Sequence, residues 1–167
     1  MIKHIELLNQ EGKTLRGYLH YPKNFTGKLV VMFHGYTGNK TEHGCLFRDF
    51  SRLLEKENIA SLRLDFSGNG ESDGYFNEFT FDTLINEANL IIDYGKQIEG
   101  VKEVILLGFS MGGAIAAYVS ARRNDISKLL LWAPARNIIE IIKRNYENAP
   151  KLANGDADLG SYPLSLD

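Results

Sequence analysis

The sequence predicts an α/β fold: a mostly parallel sheet with helices on both faces and an antiparallel hairpin at its amino-terminal end. Three observations carry that expectation. Between residues 28 and 132, short apolar runs alternate with helical patterns, the order in which a parallel sheet is assembled. The runs at 29–34, 59–65, 104–107 and 129–132 are mostly apolar at consecutive positions, as strands covered on both faces require. Before Pro22, segments 2–8 and 14–21 instead flank Gln10, Glu11 and Gly12, which reads as a hairpin.

The elements between the strands follow from their stripes. Leu46, Phe47, Phe50, Leu53 and Leu54 recur at helical spacing, and Asn58 is placed to end that helix. Phe81, Leu84, Ile85, Ala88, Ile92 and Gly95 form a second stripe, started near Thr80 and closed at Gly100. A third helix is expected from Ser110 to about Arg123, where Arg122 and Arg123 suit the negative end of the helix dipole. Beyond Pro134 the alternation stops. Ile138, Ile139, Ile141 and Ile142 make a short apolar helix, and a polar tail begins at Asn148.

Totals narrow the classes of function. A chain of 167 residues, 44% apolar, can bury one core, hiding roughly 70% of its unfolded surface. The formal charge of -2 and pI near 6.1 give no electrostatic footprint for nucleic acid or an anionic membrane, so neither is expected as a partner. Cys45 is alone, which excludes an internal disulfide, and residues 1–21 lack the apolar stretch of a secretion signal. No run approaches the roughly 20 apolar residues of a membrane span. A cytoplasmic protein is expected.

The chemistry is concentrated in Gly108, Phe109, Ser110, Met111, Gly112 and Gly113, between an apolar strand and a small-residue helix. A G-x-S-x-G spacing holds its serine in a strained strand-to-helix bend, where side chains on the flanking glycines would collide with backbone. Ser110 is therefore the candidate nucleophile. The bend aims the Met111 amide and the amino end of the next helix at the atom under attack, where negative charge develops. The loop of His34, Gly35, Tyr36, Thr37, Gly38 and Asn39 follows a buried strand and can supply a second donor. The backbone amide of Tyr36 is the candidate, because it follows the first glycine of that loop.

Other motifs fail on spacing. Residues 35–41 end like a phosphate loop, but only two residues separate the glycines and Asn39 intervenes before Lys40. Residues 68–74 are glycine-rich, yet no helix opens at the third glycine, so a dinucleotide site is not expected. Asp65, just before that loop, is placed to accept backbone amides and pin the turn. His4, His20, His34 and His43 form neither an i, i+4 pair nor a cluster with cysteines. No metal or other cofactor is expected.

These residues resemble the α/β-hydrolases, and among them the lid-bearing microbial esterases that include the cinnamoyl and feruloyl esterases. The likeness rests on the loop 34–38, the segment 63–72, the bend 108–113 and Leu131, Trp132, Ala133, Pro134 and Ala135, and it spans about residues 1–147. It implies a hydrolase core over 1–134, with the start of a lid insertion and a polar tail over 135–167. It also implies Ser110 as nucleophile, with the Tyr36 and Met111 amides as oxyanion donors, acting on small-molecule esters through an acyl-enzyme.

The pattern then breaks. In this family the acid and the histidine follow the serine, yet no histidine follows Ser110 in the sequence. Asp125, Glu140, Asp156, Asp158 and Asp167 follow it without a strand end to position one of them as the acid. The expectation is a serine esterase cut short, inactive or weak by itself. An upstream substitute base, His34 or His43, is the lesser reading, since the loop position of His34 suits the oxyanion side. A noncatalytic binding or assembly protein is the alternative, and thioesterase and serine peptidase chemistry use the same apparatus. The strand Leu129, Leu130, Leu131 and Trp132 would lie at an open edge, so burial by a second copy or by the tail is expected.

Overall fold

Six strands build one sheet in the order β1, β2, β4, β3, β5, β6. The computed structural model describes residues 1–159 and the strand Pro163–Leu164. Strands β1 (Ile2–Leu8) and β2 (Thr14–His20) form the antiparallel hairpin, and β2 also pairs antiparallel with β4 (Ala60–Leu64). From there the sheet is parallel: β4 to β3 (Lys28–Phe33), β3 to β5 (Glu103–Phe109) and β5 to β6 (Lys128–Trp132). The fold class and the strands thus match the sequence expectation.

Two layers of helix cover the sheet. α2 (Phe81–Gln97) and α3 (Met111–Ser120) pack on one face, over Leu29, Val31, Phe33, Leu62 and Leu106. α1 (Leu46–Lys56) covers the other, where Phe47 joins Val30, Met32, Ile105 and Leu107. Alternate residues of β3 therefore feed opposite layers, the period-two consequence of a strand buried on both sides. Thr80 caps α2 by accepting the Thr83 amide, while Asn58 ends the α1 turn with a φ of 60°. α3 is shorter than expected, stopping at Ser120, and two short 3-10 turns, His43–Cys45 and Phe76–Glu78, were not legible in the stripes.

After β6 comes α4 (Ile138–Asn148), which carries the isoleucine cluster in its first turns and ends where the polar tail is expected to begin. It buries no residue fully. The chain then pairs β7 (Ala157–Asp158) with β8 (Pro163–Leu164), and Ala157 packs on Phe76. This tail packs against Phe76 and Phe79 and leaves β6 open: Leu129, Leu130 and Leu131 are 37–40% exposed. Among the described residues, no helix is long and apolar enough to cross a membrane.

Candidate active site

The corner between β5 and α3 is one residue wide. Ser110 occupies it with φ 52° and ψ −116°, a conformation that L residues rarely hold without support. The flanking glycines supply the space. A Cβ on Gly108 would meet Gly112 O at 2.2 Å, and one on Gly112 would meet Phe33 O at 2.0 Å. Backbone bonds do the rest: the Ser110 amide donates to Trp132 O at 3.0 Å, and its carbonyl accepts from the amides of Gly113 and Ala135. The hydroxyl of Ser110 engages no described residue, and the Met111 amide, first in α3, has no acceptor.

Beside this corner runs the loop after β3. A Cβ added to Gly35 would lie 3.3 Å from Ser110 Cβ, so the loop backbone borders the serine. The Tyr36 amide donates to no described residue. The Tyr36 ring packs on Phe76 and Phe79, and its hydroxyl is buried with no hydrogen-bond partner among the described residues. Burial pushes that phenol up to about 12.

His34 is committed elsewhere. Its Nε2 accepts the Phe66 amide at 3.1 Å, which leaves the proton on Nδ1, 2.9 Å from Gly35 O. The ring is fully buried, and burial lowers its pKa below the ordinary histidine value. With both nitrogens held by backbone, His34 cannot take a proton from Ser110. His43 sits exposed on its 3-10 turn.

Buried carboxylates hold the surrounding loops. Asp65, with no solvent exposure, accepts the Lys40 amide at 2.5 Å, the Lys40 ammonium at 2.6 Å and the Glu71 amide at 2.8 Å. This is the turn-pinning role the sequence suggested for it. Burial opposes the charge on Lys40, but hydrogen bonds and charge from Asp65 and Glu71 outweigh it and hold its pKa above the usual value. Glu87 reaches from α2 to the Ser67 amide and to Asn9. Glu42 accepts the Gly35 and His43 amides. Sequence reasoning missed Glu42 and Glu87, because neither stands in a motif.

Three of the acids after Ser110 are engaged by other side chains. Asp125 is bound by Arg123 and Lys96, whose hydrogen bonds hold its carboxyl well below the usual range. Glu140 accepts from Asn137, and Asp156 from Asn77 and Asn154. Asp167 lies outside the described residues. Among the described residues, no group of three or more His, Cys, Asp or Glu could hold a metal ion.

A cleft of about 1240 Å³ opens beside Met111, walled by Phe76, Phe79, Phe81 and Tyr118 on one side and by Ile138 and Ile142 of α4 on the other. The family described as serine aminopeptidase, S33 (Hydrolase_4), matches residues 26–154. The chain belongs to this family of α/β-hydrolases. Its sequence is 32% identical over 111 residues to the AB hydrolase superfamily protein YisY of Bacillus subtilis, covering 65% of this chain and 38% of that protein. Against human monoglyceride lipase the identity is 29% over 135 residues, covering 77% and 42%. The chain thus spans well under half the length of these curated relatives. Est1E of Butyrivibrio proteoclasticus, solved with ferulic acid bound, superposes with a TM-score of 0.80 at 28% identity, over 96% of this chain and 67% of that one.

Proposed function

We propose that this hydrolase chain carries the nucleophile half of a carboxylic ester hydrolase, with Ser110 attacking the ester carbonyl. The carrying observation is the strained corner itself, where Ser110 stands at φ 52° with an unengaged hydroxyl beside the unbonded amides of Met111 and Tyr36. As Ser110 Oγ bonds to the carbonyl carbon, the carbonyl oxygen becomes an oxyanion, and those two amides with the amino end of α3 stabilise it. The proton of the Ser110 hydroxyl passes to solvent water, collapse breaks the bond to the leaving alkoxide, which takes a proton from water and departs as the alcohol, and the acyl-enzyme that remains is cleaved by water to the acid. Residues 1–134 form the core of this machine and α4 begins its lid. The apolar cleft takes the acyl group, of aromatic or medium size, a reading supported by the ferulic acid bound to Est1E.

A serine hydroxyl needs a base near neutral pH. His34 is committed to backbone, His43 is exposed, and no histidine lies between Ser110 and Asp167. Residues 1–167 alone are therefore expected to turn over weakly, keeping about 10³ to 10⁴ over water from the oxyanion donors and binding. The test is incubation with an alkyl fluorophosphonate, read by intact mass, with Ser110→Ala as control. Slow single labelling that Ser110→Ala abolishes is expected. Equal labelling of both proteins, or of neither, would overturn the assignment.

The exposed leucines of β6 favour a second reading, in which the hydrolase-like chain binds or assembles without catalysis. Aryl acetate turnover abolished by Ser110→Ala would rule it out. Thioesters and peptides engage the same groups, and the family's serine aminopeptidase description makes a peptide the first alternative substrate to assay.

A further inference from the structure

We infer that Glu42 is a positioning residue for the oxyanion site: its carboxylate fixes the peptide that aims the Tyr36 amide beside Ser110. The inference rests on the reading of Ser110 as nucleophile. Glu42 is 8% exposed and sits at φ 60°, ψ 166°, a backbone region held essentially by glycine alone. A glycine there would be unstrained. A glutamate in that conformation points to a use for its side chain, and the contacts identify the use. Oε1 accepts the Gly35 amide at 2.5 Å, and Oε2 accepts the His43 amide at 3.2 Å. Both oxygens thus hold backbone at the two ends of the loop.

Gly35 is the residue that matters, because its carbonyl shares a planar trans peptide with the Tyr36 amide. That carbonyl accepts from the Gly38 amide at 3.0 Å and from His34 Nδ1 at 2.9 Å. The Tyr36 N–H must then point the opposite way, out of the loop. Glu42 anchors the preceding peptide of the same residue, so the position of Gly35 against Ser110 is set from both sides. The loop is also wrapped tightly on the carboxylate, since a Cβ on Gly38 would lie 2.7 Å from Glu42 Oε1. Lys40, whose amide and ammonium both reach Asp65, secures the loop between them. Glu42 is not the missing base, because Ser110 and Glu42 share no hydrogen bond.

The test measures the rate of Ser110 phosphonylation by an alkyl fluorophosphonate as a function of reagent concentration, in the full chain and in folded variants checked by circular dichroism. Glu42→Ala should lower the limiting rate by about 10- to 100-fold, short of the 10²- to 10³-fold seen when an oxyanion donor is deleted outright. Half-saturation should stay within about two-fold, because the apolar cleft that binds the reagent is untouched. Glu42→Gln keeps an acceptor for Gly35 and should recover most of the loss. Gly38→Ala, which displaces the carboxylate, should mimic Glu42→Ala and carries the test if that variant does not fold. A wild-type limiting rate in Glu42→Ala or Gly38→Ala overturns the inference and leaves the esterase reading intact. If the wild-type chain itself is unreactive, the esterase reading fails. The clamp is then decided by amide hydrogen exchange at Gly35 and Tyr36: faster exchange in Glu42→Ala supports it, and unchanged exchange overturns it.

Discussion

The two sides of the Ser110–Met111 corner are built to different tolerances. On one bank, the loops after β3 and β4 are held by three carboxylates, Glu42, Asp65 and Glu87, each under 10% exposed and each bonded to backbone amides. On the other bank, α4 buries no residue fully, and Ile139 is 72% exposed. In the proposed reaction a developing oxyanion demands donors fixed to fractions of an ångström, which amides pinned by buried charges would supply. Receiving an apolar acyl group demands only a greasy wall. Precision and adaptability are thus separated between the loops beside Ser110 and the helix that walls the cleft beside Met111.

The most severe challenge to this contrast is removal of a pin. Asp65→Asn keeps the shape but sets an amide NH2 against the Lys40 ammonium and the Glu71 amide, leaving the buried cation only the exposed Glu71 carboxylate, 2.8 Å away, as counter-charge. We expect a loss of about 1–3 kcal/mol in urea unfolding. A loss under 1 kcal/mol would mean that the fixed bank does not depend on its charges.

Acidification probes the same bank more gently. Burial lowers the His34 pKa, and His20 shifts the same way, chiefly by burial with Arg63 adding to it. The unfolded chain therefore binds these protons first. Their contribution is complete above the unfolded value of about 6.5 and declines as pH falls through that value toward the folded one. Each group should steepen the decline by up to about 1.4 kcal/mol per pH unit. Urea titrations between pH 7.5 and 5 should give a shallower slope in His34→Asn, and an unchanged slope would mean that folding does not shift the His34 pKa.

The smallest effect belongs to the opposite bank. Ile139→Asp should change stability by less than about 0.5 kcal/mol, as expected for an exposed position. The same substitution should raise half-saturation for a long-chain fluorophosphonate more than for a short one. A large stability loss would mean that α4 is as fixed as the loops it faces.

How much of this was legible in the sequence depends on distance along the chain. The Ser110 corner could be read because Gly108 and Gly112 lie within two residues of it and their absent side chains answer a local clash. Asp65 could be read because the turn it pins follows at once. Glu42 and Glu87 could not, since their partners Gly35 and Ser67 stand seven and twenty positions away and nothing in their neighbourhood marks a carboxylate as internal. The end of α4 could be read, since the helix stops at Asn148, where the sequence turns polar.

By itself the sequence determined the α/β alternation, the hairpin and the tight corner at Ser110, because periodicity and glycine spacing act over a few residues. Only the tertiary structure decided that His34 spends both nitrogens on backbone, that Glu42 turns inward and that the leucines of β6 stay open. Those outcomes depend on which amides and surfaces the packed sheet brings together, and burial, not local pattern, sets their energies.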